Sequence, residues 1–488
     1  MADAVFRICW TAPTVPLAHY WEHTVGSCHA PLALRADWQR QLARCRRELG
    51  VRRVRFHGLL CDDVGTCVLH QGRLLDSFFN ADAIVDYLLS IDVRPFVELS
   101  FMPEAMASGA ETVFHYRANI TPPRDPRDWA GLVRRLAGHW RRRYGADEVR
   151  RWYFEVWNEP NLPAFWAGTR DDYFTLYRHT ALALKEVDAG LQVGGPATAK
   201  NEWVAEFLDF CAGAGLPADF VSTHHYPNDP LWSEAQDTES ELAGARRGAL
   251  REWAAEAHRQ ARGVPLLYTE WNASSNPRYP RQDDPYAAAF AVKGVLDVGG
   301  LVEAYAFWTF SDIFEENYFP SLPFHGGFGL LTLHGVPKPT YRAFELLHRL
   351  GDRQLPVSGA HETLDAWAVR GGDSLTVVLA NHALPRQPIA ARRARVEVTG
   401  APAPRAVTLR RIDEDHANAK AEWRRMGGPE YLGRKEVERL EESSRLRDEA
   451  QPWGYERGVL SLEITLPPHA VAAVEVEFGS GAAVGGVP

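Results

Sequence analysis

Eight short runs rich in β-branched and aromatic residues recur between residues 24 and 350, and stretches of helical period separate them. The runs are "TVGSC", "VRRVRFHG", "RPFVELSFM", "WYFEVWNEP", "LQVGGPATA", "FVSTHHYP", "LLYTEWNA" and "AYAFWTFSD". Between them stand segments such as "ADWQRQLARCRRELG", "DPRDWAGLVRRLAGHWRRRYG" and "DDYFTLYRHTALALKEVDAG", the last opening on acids and ending on Gly, as the helix dipole and C-cap prefer. Eight strands each followed by a helix predict an α/β fold of the (β/α)8 TIM-barrel type. The barrel is expected over residues 16–353.

Beyond residue 355 the period falls to two, in "SLTVVLANHA", "ARVEVTG", "AVTLRRID", "LSLEITL" and "AVAAVEVEF", with Gly, Pro and Ala turns and little helix. That pattern predicts an accessory β-sandwich over residues 354–478. "VFRICWT" alternates in the same way ahead of the barrel, so residues 1–15 are expected to add a strand to the sandwich. A charged, helix-forming insertion at 413–450 is too long for a hairpin and is expected to lie over a surface. The end of the chain, 479–488, reads as a flexible tail.

A net charge of -9, from 54 basic and 63 acidic residues mixed along the chain, argues against a nucleic-acid surface. No apolar run is long enough to span a membrane, and the opening "MADAVFRICWTAPTVP" lacks a basic region followed by an apolar one, so a cytoplasmic location is expected. The six cysteines lack CxxC spacing, which suits reduced thiols better than disulfides or a metal site.

In a (β/α)8 barrel, chemistry sits at the C-terminal ends of the strands. Glu159 closes the fourth run and Glu270 the seventh. A lone carboxylate at a strand end is usually solvated or ion-paired. Two of them facing each other across a barrel mouth provide what glycoside hydrolysis needs, a proton donor to the leaving oxygen and a second carboxylate at the anomeric carbon; a gap of ~5 Å marks the retaining route. Asn158, beside Glu159, suits a hydrogen bond to a sugar 2-hydroxyl, which makes Glu159 the general acid/base and Glu270 the nucleophile. By strand parity Tyr268 is expected to face the way Glu270 does, and Glu155 to point inward a layer below Glu159, paired with a basic residue such as Arg55.

The blocks "FHGLLCDDVG", "RPFVELSFMPEAMASG", "WNEPNLPAFW", "YTEWNASS" and "WTFSDIFEENYFPSLPFHGGFGLL", in this order, resemble glycoside hydrolase family 39, whose members are mainly β-xylosidases and α-L-iduronidases. The similarity runs from about "HYWEHTVG" through "FELL" and continues in "RIDEDHANAKAEWRRMGGPEYL". It implies the same two catalytic carboxylates, with His57, His224, Tyr226, Trp308, Glu316, Glu315 and Phe165 around the sugar, and no metal or other cofactor. An iduronidase would carry Lys two residues after the first His of "HHYPND", where Tyr226 stands, which favours a neutral xylosyl group over a uronic acid. The expected activity is that of a retaining exo-β-1,4-xylosidase acting on xylo-oligosaccharides, and a homo-oligomer through the accessory domain is a further expectation. Alternatives are iduronidase, arabinosidase or β-glucosidase specificity, and, more remotely, a non-catalytic carbohydrate-binding protein.

Overall fold

The computed structural model describes residues 2–227 and 238–479. The expected tail lies outside these residues from position 480 onward. Eight parallel strands close a barrel in chain order: β1 (Val25–His29), β2 (Arg53–His57), β3 (Arg94–Leu99), β4 (Tyr153–Val156), β5 (Gln192–Thr198), β6 (Phe220–His225), β7 (Leu266–Trp271) and β8 (Ala304–Phe307). Helices α1 (Ala36–Leu49), α2 (Phe79–Ser90), α3 (Pro126–Tyr144), α4 (Arg170–Val187), α5 (Val204–Gly213), α6 (Ala249–Gln260), α7 (Pro285–Asp297) and α8 (Pro339–His348) follow the strands in turn. The TIM barrel expected from the alternating runs is the observed one.

Local chemistry explains several of these boundaries. Thr169 and Asp172 form a reciprocal capping box at the start of α4. Gly50 ends α1 in the left-handed region at φ 71°, where a side chain would be strained.

Inside the barrel, side chains alternate into layers. Phe96, Phe220, Leu267 and Ala304, with Tyr153, plug the N-terminal end. Two residues further along the same strands come Glu98, Ser222, Thr269 and Glu155, all buried. A period of two thus places a polar layer directly on an apolar floor.

The accessory domain is two facing sheets. One has the strand order 357–358, 4–9, 392–399, 459–466, 453–456; the other runs 15–16, 353–355, 364–371, 374–381, 471–478, 404–412, 449–450. Ala4–Cys9 pairs in parallel with Arg392–Thr399, so the N-terminal segment is built into the sandwich. Phe6, Ile8, Leu375, Val377, Val396, Leu462, Ile464, Val474 and Val476 fill the space between the sheets. The opposite face of the larger sheet, with Val369, Val378, Val471 and Ala473, is continuous with the barrel's own core.

The insertion folds as α9 (Ala419–Arg425) and α10 (Arg434–Ser443) and packs on its own chain. Ala419 and Leu440 bury against Phe324 and Val336, Lys420 Nζ reaches Asp284 Oδ1 at 2.7 Å and the Pro280 carbonyl at 2.8 Å, and Ser321 Oγ bonds Glu430 Oε1 at 2.5 Å. It therefore backs the loops that follow β7 and β8. All six cysteines are free. Among the described residues no helix is long and apolar enough to cross a membrane.

Candidate active site

One buried cation organises the polar layer. Arg55 donates from Nε to Glu155 Oε2 at 2.6 Å, from Nη1 to Glu270 Oε1 at 2.8 Å and from Nη2 to Asn158 Oδ1 at 2.9 Å, and its Nη2 lies 2.8 Å from Glu98 Oε2. Burial works against the guanidinium's charge, but Glu155, Glu98 and Glu270 together raise its pKa above the ordinary value. Glu155 is therefore the paired scaffold charge expected of it. Burial pushes Glu155 above the usual carboxyl value, and Arg55 opposes that. Because an arginine can only donate, Asn158 must turn Oδ1 toward Arg55, which leaves its amide nitrogen as the donor for a ligand.

Glu159 stands just beyond the end of β4. Trp157 and Glu159 both adopt positive φ, 72° and 44°, so the chain leaves strand geometry after Val156. Trp157 consequently turns away from the interior and packs against Trp129 and Trp166, while its Nε1 donates to the Phe165 carbonyl at 2.9 Å. The Glu159 backbone is held by its N–H on the Ala197 carbonyl at 2.9 Å.

The protonation logic follows from the partners. The Thr269 hydroxyl donates to Glu155 Oε1 at 2.8 Å, so its oxygen accepts from His224 Nε2 at 3.0 Å. Burial drives the His224 imidazole well below its ordinary pKa, so it is neutral and its one proton sits on Nε2. Nδ1 is then an acceptor, 2.9 Å from Glu159 Oε1. A hydrogen bond there requires the proton to be on Glu159.

Glu270 has the opposite surroundings. Oε1 accepts from Arg55 and Oε2 from the Tyr226 hydroxyl at 2.8 Å, so both oxygens are engaged as acceptors. His57 stands beside it, with Nδ1 2.8 Å from Glu98 Oε2 and Nε2 3.8 Å from both Glu270 Oε1 and Glu316 Oε1. Burial lowers the His57 pKa, but Glu98 carries it above the ordinary value. Oxygens of Glu159 and Glu270 lie within 4.8 Å of each other.

The two carboxylates open into a cavity of about 810 Å³, counting its mouth. Asn158, Phe165, Tyr226, Trp308, His57 and Glu316 line it. Burial pushes the Glu316 carboxyl up to about 8, with His57 opposing, so it holds a proton at neutral pH. Trp308 can lie where it does because residue 26 is glycine: a Cβ there would fall 2.3 Å from the Trp308 ring.

Three expectations are corrected. Glu315 is not brought to the cavity, because its carboxylate pairs with Arg35 on the outer side of the loop. His224 does not line the cavity but lies fully buried beneath Glu159. Tyr268 does not share a face with Glu270. Its ring packs at a tilt against His225, 4.0 Å between centroids, on the helix side of the sheet. The reason is a bulge: Tyr268 pairs with Tyr305 and Trp271 with Phe307, so β7 spends one extra residue and turns both Thr269 and Glu270 inward. Phe114 and Asn317 in the cavity wall, and the contacts of Arg55 with Glu270 and Asn158, are not among the expected features of the site. Only the alternation of Arg55 with His57 on β2 could have signalled the last of these.

A barrel carrying one carboxylate against a buried imidazole and a second held by an arginine and a tyrosine, at the ends of its fourth and seventh strands, belongs to the class of carboxylate-pair glycoside hydrolases. The family described as Glycosyl hydrolases family 39 matches residues 6–459, and the chain belongs to that family. It is 48% identical over 466 residues to a β-xylosidase of Caldicellulosiruptor saccharolyticus, covering 94% of this chain and 96% of that one. It is 36% identical over 480 residues to a β-xylosidase of Geobacillus stearothermophilus, covering 94% and 92%. The crystal structure of a monomeric β-xylosidase from Caulobacter crescentus CB15 superposes with a TM-score of 0.87 at 32% identity, covering 97% of this chain and 99% of that one.

Proposed function

We propose that this chain is a retaining exo-β-xylosidase that removes xylose from the non-reducing end of short β-1,4-linked xylo-oligosaccharides. The observation that carries the reading is the unequal surroundings of the two carboxylates: Glu159 Oε1 faces His224 Nδ1, while the two Glu270 oxygens accept from Arg55 and from Tyr226. In the first step Glu270 attacks the anomeric carbon while Glu159 passes its proton to the leaving oxygen. In the second, Glu159 takes a proton from water, which attacks the same carbon and releases Glu270. His224 is a positioning residue that keeps the acid's proton aimed until the leaving oxygen replaces it as acceptor. The substrate class of the β-xylosidase relatives supports the xylosyl specificity.

The cavity supports a neutral terminal sugar. Among the described residues that line it there is no Lys or Arg, and the protonated Glu316 serves as a donor to a hydroxyl. Phe114, Phe165, Pro277 and Phe328 come from four different loops and wall it on several sides, which suits a chain end better than a chain interior. The test is proton NMR of xylobiose hydrolysis with a panel of nitrophenyl glycosides. Early accumulation of β-xylose and preference for the β-xyloside are expected; α-xylose first, or preference for an iduronide or glucoside, overturns the reading.

The Glu316 proton has its own consequence. As pH rises through about 8 the carboxyl ionises and becomes a negative charge near Glu270. Affinity for a neutral xylose-like inhibitor should therefore fall above that pH, and Glu316→Gln should flatten the alkaline loss; an unchanged profile in the variant refutes the assignment.

A further inference from the structure

The carboxylate pair occupies the C-terminal end of the barrel. At the other end, just ahead of β1 and at the close of α8, we propose that His19, Glu22 and His348 form a site for one divalent transition-metal ion of the zinc class. One ring nitrogen of each histidine and a carboxylate oxygen of Glu22 lie within 4.8 Å of one another. Glu22 Oε1 is 2.7 Å from His19 Nδ1 and 2.8 Å from His348 Nδ1.

The far side of the His19 ring decides what its near side can do. Nε2 stands 3.2 Å from the Gly351 carbonyl, which can only accept, so the ring proton belongs on Nε2. Nδ1 faces the Glu22 carboxylate oxygen, where either a second ring proton or a metal ion can sit, and an ion that displaces that proton binds the same two atoms. An imidazole whose second nitrogen donates to a backbone carbonyl is the usual setting of a metal-ligating histidine. Two imidazoles and one carboxylate suit zinc, cobalt or nickel and not calcium or magnesium, which favour all-oxygen shells.

The surroundings leave space for the cluster. At Gly50 a Cβ would fall 2.7 Å from Glu22 Oε2 and 2.7 Å from His348 Nδ1, so the cluster packs on a bare Cα. The neighbouring Arg52 is turned aside: it donates from Nη2 to the His19 carbonyl at 2.9 Å, and its N–H to the Glu22 carbonyl at 2.9 Å. The Trp21 ring stacks on His19 at 4.5 Å and shields one face. Residues 22 and 348 stand at the two ends of the barrel segment, so an ion here would clip the first strand's approach to the last helix. A ligand that binds only the folded chain stabilises it by mass action.

Isothermal titration of Zn²⁺ into the chelator-treated full-length chain tests the site. One saturable equivalent is expected, with a rise in apparent Tm, and with kcat/KM for a nitrophenyl xyloside unmoved because the site is at the opposite end of the barrel. In His348→Ala and in Glu22→Gln that equivalent should weaken at least about tenfold. Co²⁺ in place of Zn²⁺ should give a visible absorption band that both variants lose. No saturable equivalent, or one that survives both substitutions, overturns the proposal and leaves the three side chains as an ion-paired cluster.

Discussion

Glu270→Ala is expected to lower turnover of a nitrophenyl xyloside by about 10⁴- to 10⁶-fold, the scale on which enzymes lose rate with their nucleophile. The variant should stay folded, since Arg55 retains Glu98 and Glu155. Azide then distinguishes a missing nucleophile from general damage. A small anion in the vacated space attacks the anomeric carbon from the side Glu270 used, the glycosidic C–O bond breaks and the leaving oxygen departs with its electron pair. The product is the α-xylosyl azide, inverted relative to the substrate. Near-native turnover, or a β-azide, would show that Glu270 is not the attacking group. A β-azide is instead the product expected from Glu159→Ala, where the covalent intermediate still forms and azide takes the place of water on the opposite face.

The second large effect is on stability. Arg55→Met should cost at least ~3–5 kcal/mol, because removing one partner of a buried ion pair leaves the other uncompensated, and here three carboxylates share the cation. The pH dependence tests the cause. In the native chain burial pushes Glu98 up, but Arg55 and His57 bring it below its ordinary value of 4.5, so its contribution to stability is present above that pH and is lost as pH falls. Without Arg55 the folded-state carboxyls move upward and hold protons that the unfolded chain releases. The variant's deficit relative to the native chain should therefore widen as pH rises from about 4.5, read as apparent Tm at fixed scan rate. A deficit independent of pH would mean that Arg55 acts by packing alone.

Much of the barrel was legible because each strand carries its own alternation and each helix its own stripe, signals that need no distant partner. Glu159 and Glu270 were legible for a related reason, since strand ends map to one rim of a barrel. What stayed hidden depended on departures from regular geometry or on choices between partners. The extra residue in β7 turns Glu270 inward beside Thr269 and leaves Tyr268 facing outward, and parity counted back from Glu270 cannot see a bulge. Glu315 and Glu316 are neighbours of the same type, yet Arg35 draws one away and burial beside His57 keeps the other. The two histidines of "STHHYP" likewise divide only in three dimensions. His224 goes under Glu159, and His225 bonds the Tyr305 hydroxyl at 2.7 Å. In the sandwich, "LDAWAVRG" is absent from the expected strands, yet residues 364–371 pair along their whole length with 374–381.

The way the second domain is attached bears on how such a protein can be rearranged. Val369, Val378, Val471 and Ala473 join the hydrophobic core that includes the barrel's helices, and Lys420 anchors the turn at Asp284 that leads into α7. The rim loop after β8, which supplies Glu316, Asn317 and Phe328 to the cavity, rests on residues more than eighty positions downstream in Ala419 and Leu440. The barrel is thus not a portable module. In a recombined or shortened gene the break between useful pieces would have to fall outside the sandwich, because the loop that walls the cavity is backed by the last quarter of the chain.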